Sequence, residues 1–292
     1  MPSLKEVRNR ITSVSSTQQI TSAMKMVSAA KLRRAQDAIT QMRPYANKLR
    51  EILENLSASL DSSEGVYSKQ RDVKNVLIVV ITSNRGLAGA FNSNVVKRAT
   101  RAIREEYAGA KVSYLAIGKK GNDVFRKSGL TAGLTDLGET NSVFDSLTFA
   151  NVAPIAERIM KAFAEGTYDK VMLVYNQFKN AAVQITQLEQ FLPVVPSAAS
   201  GKKAAKVDYI FEPSREEIVL DLIPRSLKTQ LFKALLDSHA SEHGARMTAM
   251  HKATDNAKEL LRSLKISYNK ARQTAITNEI LEIVGGAEAL KG

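Results

Sequence analysis

Two stretches of this chain carry residue types that could do chemistry. The first is SNRGLAGAFN (83–92), which follows the apolar run Val76–Thr82 and leads into a helical pattern. Glycines between a strand and a helix can bring backbone N–H groups onto a phosphate. Gly86 and Gly89 do not complete a GxGxxG, and the GK[ST] of a P-loop is missing. The passage therefore reads as a tight turn feeding a packed helix rather than a nucleotide site. The second is the set His239, His243 and His251. The first two are spaced to share a helix face, as metal ligands do, but HASEH is not HExxH and no third ligand is adjacent. Exposed helix histidines are the simpler reading. No Ser/His/Asp order or carboxylate pair stands out. The absence of cysteine excludes thiolate catalysis, structural disulfides and Cys-ligated zinc. No catalytic residue, cofactor or metal is expected.

The elements that position these stretches are of two kinds. From Leu4 to Leu60, and again from about Leu227 to Val284, apolar residues recur at steps of three and four, the signature of long amphipathic helices. Between them lies an α/β pattern of Rossmann-like character. Strands are expected at Val76–Thr82, Lys111–Ile117, Val171–Tyr175, Val183–Leu188 and Val207–Phe211, and helices at Asn92–Glu106, Asn122–Lys127 and Val152–Ala164. PSAASGKKAAK (196–206) reads as a basic surface linker. Three segments follow: an N-terminal coiled-coil helix at 1–60, a globular domain at 61–212 and a C-terminal coiled-coil helix at 213–292. Helices from opposite ends of the chain pair antiparallel if both leave one face of that domain. A lever, spacer or axle needs that shape more than an enzyme does.

Within the N-terminal arm, Leu4, Val7, Ile11 and Val14 keep a 3-4 step that Leu32, Ala35, Ile39, Met42 and Leu49 nearly resume. The intervening SVSSTQQITSAMKMVSAAK is thin in apolar groups (Ile20, Met24, Val27) and suits a surface that meets a partner. Pro44 is expected to kink or break the helix. In the C-terminal arm, a short helix is expected to start at Ser214, with Pro224 in the first turn of the long one. Gly285–Gly286 is expected to end it. The expected register sets Met24 near Arg246 and leaves an apolar single-helix overhang, Ile276, Ile280, Leu281, Ile283 and Val284, past the other arm's start.

Charge narrows the partners. The net charge is +13, and residues 1–60 hold ten Lys/Arg against four acids while residues 213–292 hold twelve against ten. The basic N-terminal helix suits nucleic acid, anionic lipid, an acidic protein or plain solvent. The sequence has no run of the length that spans a bilayer and no signal or transit pattern at its start. A soluble, cytosolic protein is expected.

Three blocks carry a resemblance: QQITSAMKMVSAAKLRRAQ (18–36), SNRGLAGAFN (83–92) and SEHGARMTAMHKATDNAKELL with YNKARQTAITNEILEIVGGAEAL (241–290). In this order they resemble the gamma-chain family of F-type ATP synthases, end to end. Ala88 stands where many members carry cysteine, and the cysteine-bearing regulatory insert of chloroplast members is missing. Both departures argue against thiol control, and the lack of a presequence points to a bacterial member.

The resemblance implies a rotating, non-catalytic central shaft, one copy per complex, inside three alpha and three beta subunits. Its α/β body would bind the epsilon subunit and the proton-driven membrane ring, at the cytoplasmic face of the bacterial plasma membrane. It also implies subunit-contact residues. Met24, Lys25, Lys31, Arg33 and Arg34 would face the acidic lever of the beta subunits, and Arg85, Gly86 and Ala88 would form a loop beneath that lever. Arg246 matches a position near the N-terminal helix. Arg272, Gln273, Thr277 and Glu279 match upper positions meeting beta-subunit loops. Against this stand a static basic coiled-coil scaffold or nucleic-acid binder, disfavoured by the apolar helix end and the lack of base-stacking aromatics, and a nucleotide-binding enzyme.

Overall fold

The computed structural model describes residues 3–57, 66–138, 140–194 and 215–289. The expected strand Val207–Phe211, the linker 196–206, Ser214 and Leu60 lie outside them. The chain forms two compact units, one of Met1–Ser28 with Met247–Gly292 and one of Ala29–Arg246. Helices α1 (Leu4–Ser57) and α5 (Arg215–Ala289) supply residues to both.

The larger unit is built on a five-stranded sheet of order β3-β2-β1-β4-β5. Strands β1 (Asn75–Ile81), β2 (Lys111–Ile117), β3 (Thr131–Ala132) and β4 (Lys170–Phe178) run parallel, and β5 (Gln184–Leu192) runs antiparallel to β4. The unbroken apolar run of β1 follows from its central place. Leu77, Val79 and Ile81 face a core shared with α4 (Phe149–Ala164) and with Leu227, Leu231 and Leu235 of α5. Val76, Ile78 and Val80 face a second core with Val95 and Ala99 of α2 (Phe91–Arg101) and Phe125 of α3 (Lys119–Phe125). A strand covered on both faces has no position for a polar side chain. The Rossmann-like expectation holds for the parallel strands. It ends at β5 because the Asn180 carbonyl oxygen Oδ1 accepts the Ala182 and Val183 N–H groups, and this side-chain turn folds β5 back as a hairpin.

Asn176 ties three elements to this sheet. It is buried, donates from Nδ2 to Phe91 O at 2.9 Å, and accepts at Oδ1 from Thr186 Oγ1 at 2.7 Å. Its own carbonyl accepts from Ser241 Oγ of α5 at 3.0 Å. A buried amide satisfied on all sides fixes α2, β5 and α5 at one point.

Helix limits differ from expectation in several places; the one expected at Asn122–Lys127, for instance, is Lys119–Phe125. The helix expected at Asn92–Glu106 ends as α at Arg101, and Ala102–Glu106 continues as one π turn, closed by Tyr107 N–H to Ala102 O at 3.0 Å. Pro44 lies inside an unbroken α1; its exposed position leaves the carbonyl that loses a donor open to water. Pro224 is inside α5 rather than in its first turn, since the helix already runs from Arg215. Nor does Gly285–Gly286 end α5, which continues to Ala289.

The smaller unit is an antiparallel helix pair. Arg8 Nη2 donates to Tyr268 Oη at 2.9 Å, Thr254 Oγ1 donates to Thr21 Oγ1 at 2.9 Å, and Lys25 Nζ lies 3.2 Å from His251 Nδ1. The residue numbers of these pairs total 275 or 276. That register places Met24 opposite residues 251–252 rather than the expected Arg246, a shift of about 8 Å along the helix. The seam explains the slip: at its centre the buried hydroxyls of Thr21 and Thr254 meet across the two helices, with Met250 and Ala257 buried to either side. The same register sets Leu4 opposite residue 272, so α5 continues alone from there to Ala289. The expected overhang is present.

Candidate subunit-contact residues

In the smaller unit the polar stretch of α1 turns its apolar groups outward. Ile20 and Val27 are 60% and 57% exposed, and Met24 between them is half-buried. Their spacing of four and three puts them on one helix face, the outer one, because Thr21 and Ser28 occupy the seam. Lys25 is half-buried against His251, which also pairs with Asp255 at 3.5 Å. At the other end Arg272, Gln273, Thr277 and Glu279 are all exposed, beside the exposed Ile276, Ile280, Leu281, Ile283 and Val284. Thr277 bonds back along its own helix, to Gln273 O at 2.9 Å. An exposed helix end of this apolarity presents a surface for association.

In the larger unit Lys31, Arg33 and Arg34 are exposed on α1. The loop between β1 and α2 brings Arg85, Gly86 and Ala88 together with Arg246. Ser83 Oγ donates to Arg85 O at 2.6 Å, and Asn92 Oδ1 accepts the Ser83 N–H at 3.0 Å. Arg246 Nη2 donates to Arg85 O and to Gly86 O, each at 3.2 Å, while Nη1 donates to Glu242 Oε1 at 2.6 Å. The loop then exposes Arg85 and Leu87 and buries Ala88, which is 2% exposed. Leu87 is 67% exposed with φ at +62°. Sequence reasoning placed Leu87 within the loop Arg85–Ala88 without singling it out, and it missed the Glu242–Arg246 pair. The acid four residues ahead of the base was the available signal.

The histidines differ from expectation. His251 is exposed, but His243 is buried and His239 half-buried. Their Nε2 atoms lie 3.1 Å apart with the rings perpendicular, and His239 stacks on Phe144. The segment Leu227–Arg246 packs on the sheet core through Leu227, Leu231 and Leu235 and against α1 through Leu236 and Asp237, which leaves little solvent access for the pair. Among the described residues no cluster of three His, Cys, Asp or Glu could hold a metal ion.

Burial holds His239 down to about 4 and His243 to about 3, with repulsion from Lys31 and Arg246 acting on both. The folded pair stays neutral where the unfolded chain takes up protons. Its contribution to stability is complete above pH 6.5 and is lost as pH falls toward 4. Asp237 and Glu242 are raised by burial and change in the opposite sense, gaining stability on protonation. A His239→Phe, His243→Leu variant removes only the first effect. Its urea stability relative to the parent is expected to rise by about 2–4 kcal/mol between pH 7 and pH 4.5. A difference that stays flat across that window contradicts a buried neutral pair.

A family model described as ATP synthase matches residues 3–290 of the chain. The chain is 66% identical to the ATP synthase gamma chain of Flavobacterium johnsoniae, over 100% of both. It is similar to a chain in the solved OSCP/F1/c-ring assembly of the Euglena gracilis mitochondrial ATP synthase, at 25% identity and TM-score 0.68, covering 98% of this chain and 94% of that one. A chain of the rotor structure from the same organism gives TM-score 0.64 at 24% identity, covering 94% and 98%. Among the described residues no helix is long and apolar enough to cross a membrane.

Proposed function

Because this chain belongs to the gamma-chain family of ATP synthases, we propose that it carries torque and makes no bond of its own. It is part of the central stalk, the rotor, of an F-type ATP synthase, working with alpha and beta subunits and a membrane ring in a membrane-associated complex. The match over the whole chain length carries this conclusion. The scaffold and nucleic-acid readings are not favoured.

We further infer that catalysis belongs to the beta subunits, that the α/β unit docks the epsilon subunit and the ring, and that the complex sits at the cytoplasmic face of the membrane. Residues 1–60 and 213–292 serve as the shaft and 61–212 as the seat. Met24, Lys25, Lys31, Arg33 and Arg34 meet the beta levers, as do Arg85 and Leu87. Arg272, Gln273, Thr277 and Glu279 meet the loops around the tip. Exposure of Ile20 and Val27 on either side of the half-buried Met24, and of the basic side chains Lys31, Arg33 and Arg34 beyond them, supports this reading. Contacts that must be made and broken every turn have to be weak. Exposed ion pairs contribute about 0–1 kcal/mol each and trap no position, and a flexible methionine repacks as its partner changes. Shape change in the beta subunits and rotation of an asymmetric shaft are then linked reciprocally: whatever turns the shaft changes nucleotide affinity, and nucleotide binding turns the shaft.

Equilibrium dialysis of the purified full-length chain against ATP tests the non-catalytic part. No saturable binding is expected at ATP concentrations up to about 1 mM, the upper range of ordinary substrate constants. Saturable binding of one ATP per chain would contradict it.

A further inference from the structure

The side chain of Arg246 ties the loop Ser83–Asn92 to α5. Arg246 reaches the carbonyls of Arg85 and Gly86 together, and its remaining branch is taken by Glu242. The two side chains are only 9% and 11% exposed. Arg85 O receives a second donor from Ser83 Oγ. Immediately after these fixed carbonyls comes Leu87, a leucine in the left-handed region at φ +62° with its side chain outside. A branched side chain at positive φ is strained, and such strain persists only where the surroundings determine the backbone on either side. On one side the determining contacts are the Arg246 bonds. On the other they are burial of Ala88 and the Phe91 N–H to Ala88 O bond at 3.2 Å.

We propose that Arg246, held by Glu242, is a positioning residue that latches the loop in the conformation presenting Leu87 to a partner subunit. This rests on the reading of the loop as a contact surface. The chemistry suits the task. A guanidinium is a rigid fork that can satisfy two adjacent carbonyls with one nitrogen while a second nitrogen meets a carboxylate. Glu242 supplies the counter-charge without which a cation could not be kept there out of water. Arg246 therefore acts from inside the unit, and the residue that touches the partner is Leu87. An ordinary packing role for the ion pair, tying α5 to itself at i and i+4, would leave the loop indifferent to its removal.

The variant E242Q/R246M removes both charges together and leaves neither one buried alone. In the full-length chain, amide hydrogen exchange at Ser83, Phe91 and Lys120, which donate to the loop acceptors Asn92 Oδ1, Ala88 O and Ser83 O, is expected to accelerate about tenfold or more. Exchange at Lys111 and Asp169, bonded to Lys74 O and Asn75 O at the far end of the strands, is expected to stay unchanged. In the assembled complex, oxidative capture of a Leu87→Cys loop by a cysteine in the beta lever is expected to slow by a similar factor. Arg246→Lys keeps the ion pair but not the fork, and should give intermediate values in both readouts. Loop exchange within about twofold of the parent, in a chain whose far-end amides remain protected, overturns the latch. Faster loop exchange with undiminished capture overturns the claim that the latch serves presentation. If the double variant does not fold, Arg246→Lys decides: intermediate loosening supports the latch and parental exchange overturns it. The exchange readout does not depend on rotation, so its failure is distinct from failure of the rotor reading.

Discussion

Deleting residues 276–292 is expected to cut the torque of the assembled complex by about half or more, while deleting only residues 287–292 should change it little. The reason lies in what each cut removes. Residues 276–284 carry five large apolar side chains, Ile276, Ile280, Leu281, Ile283 and Val284, from 47% to 71% exposed on a helix that has left its partner behind. Covering the exposed half of each within a surrounding sleeve contributes about 1 kcal/mol, so the group contributes on the order of 5 kcal/mol to holding the tip on its axis. Residues 287–289, by contrast, are Ala, Glu and Ala, still helical but with almost no apolar surface to offer. The longer cut also takes Thr277 and Glu279 and leaves Arg272 and Gln273 at a frayed end. The antiparallel pairing itself ends near residue 272, opposite Leu4, so neither deletion should disturb it. Torque read from the load against which a surface-held complex still turns is the measurement. Equal loss from the two deletions would contradict the bearing role of the overhang.

The sequence made the elements legible wherever periodicity alone decides them. The β1 run VLIVVI could only be a strand covered on both faces, and the 3-4 steps of α1 and α5 could only be long helices. Register was less legible. The arms' positions relative to the body suggested Met24 with Arg246, but the hydroxyl pair Thr21–Thr254 sets the register further along α5, and a hydrogen-bonded pair leaves no mark in the apolar periodicity. Helix ends were read from glycine and proline, yet Gly285 and Gly286 meet no neighbouring atoms and Pro224 sits within a helix already begun. Where nothing packs against a glycine and the chain continues with good helix formers, the stop signal is outvoted.

The candidate contacts divide similarly. Exposure of Lys31, Arg33, Arg34, Arg272 and Gln273 follows from charge on a helix, and a sequence shows that. Burial of Arg246, Ala88 and the histidine pair follows from what surrounds Leu227–Arg246 on two sides, which is a tertiary fact. Arg246 was matched to a subunit-contact position by resemblance. Its bonds to Arg85, Gly86 and Glu242 give it an internal role, and the large apolar group exposed at that loop is the neighbouring Leu87.

A covalent tie between this loop and one beta subunit tests the central claim most directly. Leu87 is the site for the cysteine, because it is exposed while Ala88 is buried. The chain has no other cysteine to interfere. A second cysteine is placed in the acidic lever of a beta subunit, and other reactive thiols of the complex are removed. As the shaft turns the two sites should meet, and an oxidant should trap the encounter as a disulfide when their Cα atoms come within about 7 Å. That bond allows a few ångströms of play and no revolution. A rotor must then stop: steady ATP turnover is predicted to fall by at least about tenfold on oxidation, a barrier change of only 1.4 kcal/mol or more, and to return when reductant cleaves the bond. A static scaffold has no revolution to lose. Full steady-state turnover with the disulfide quantitatively intact would contradict the account.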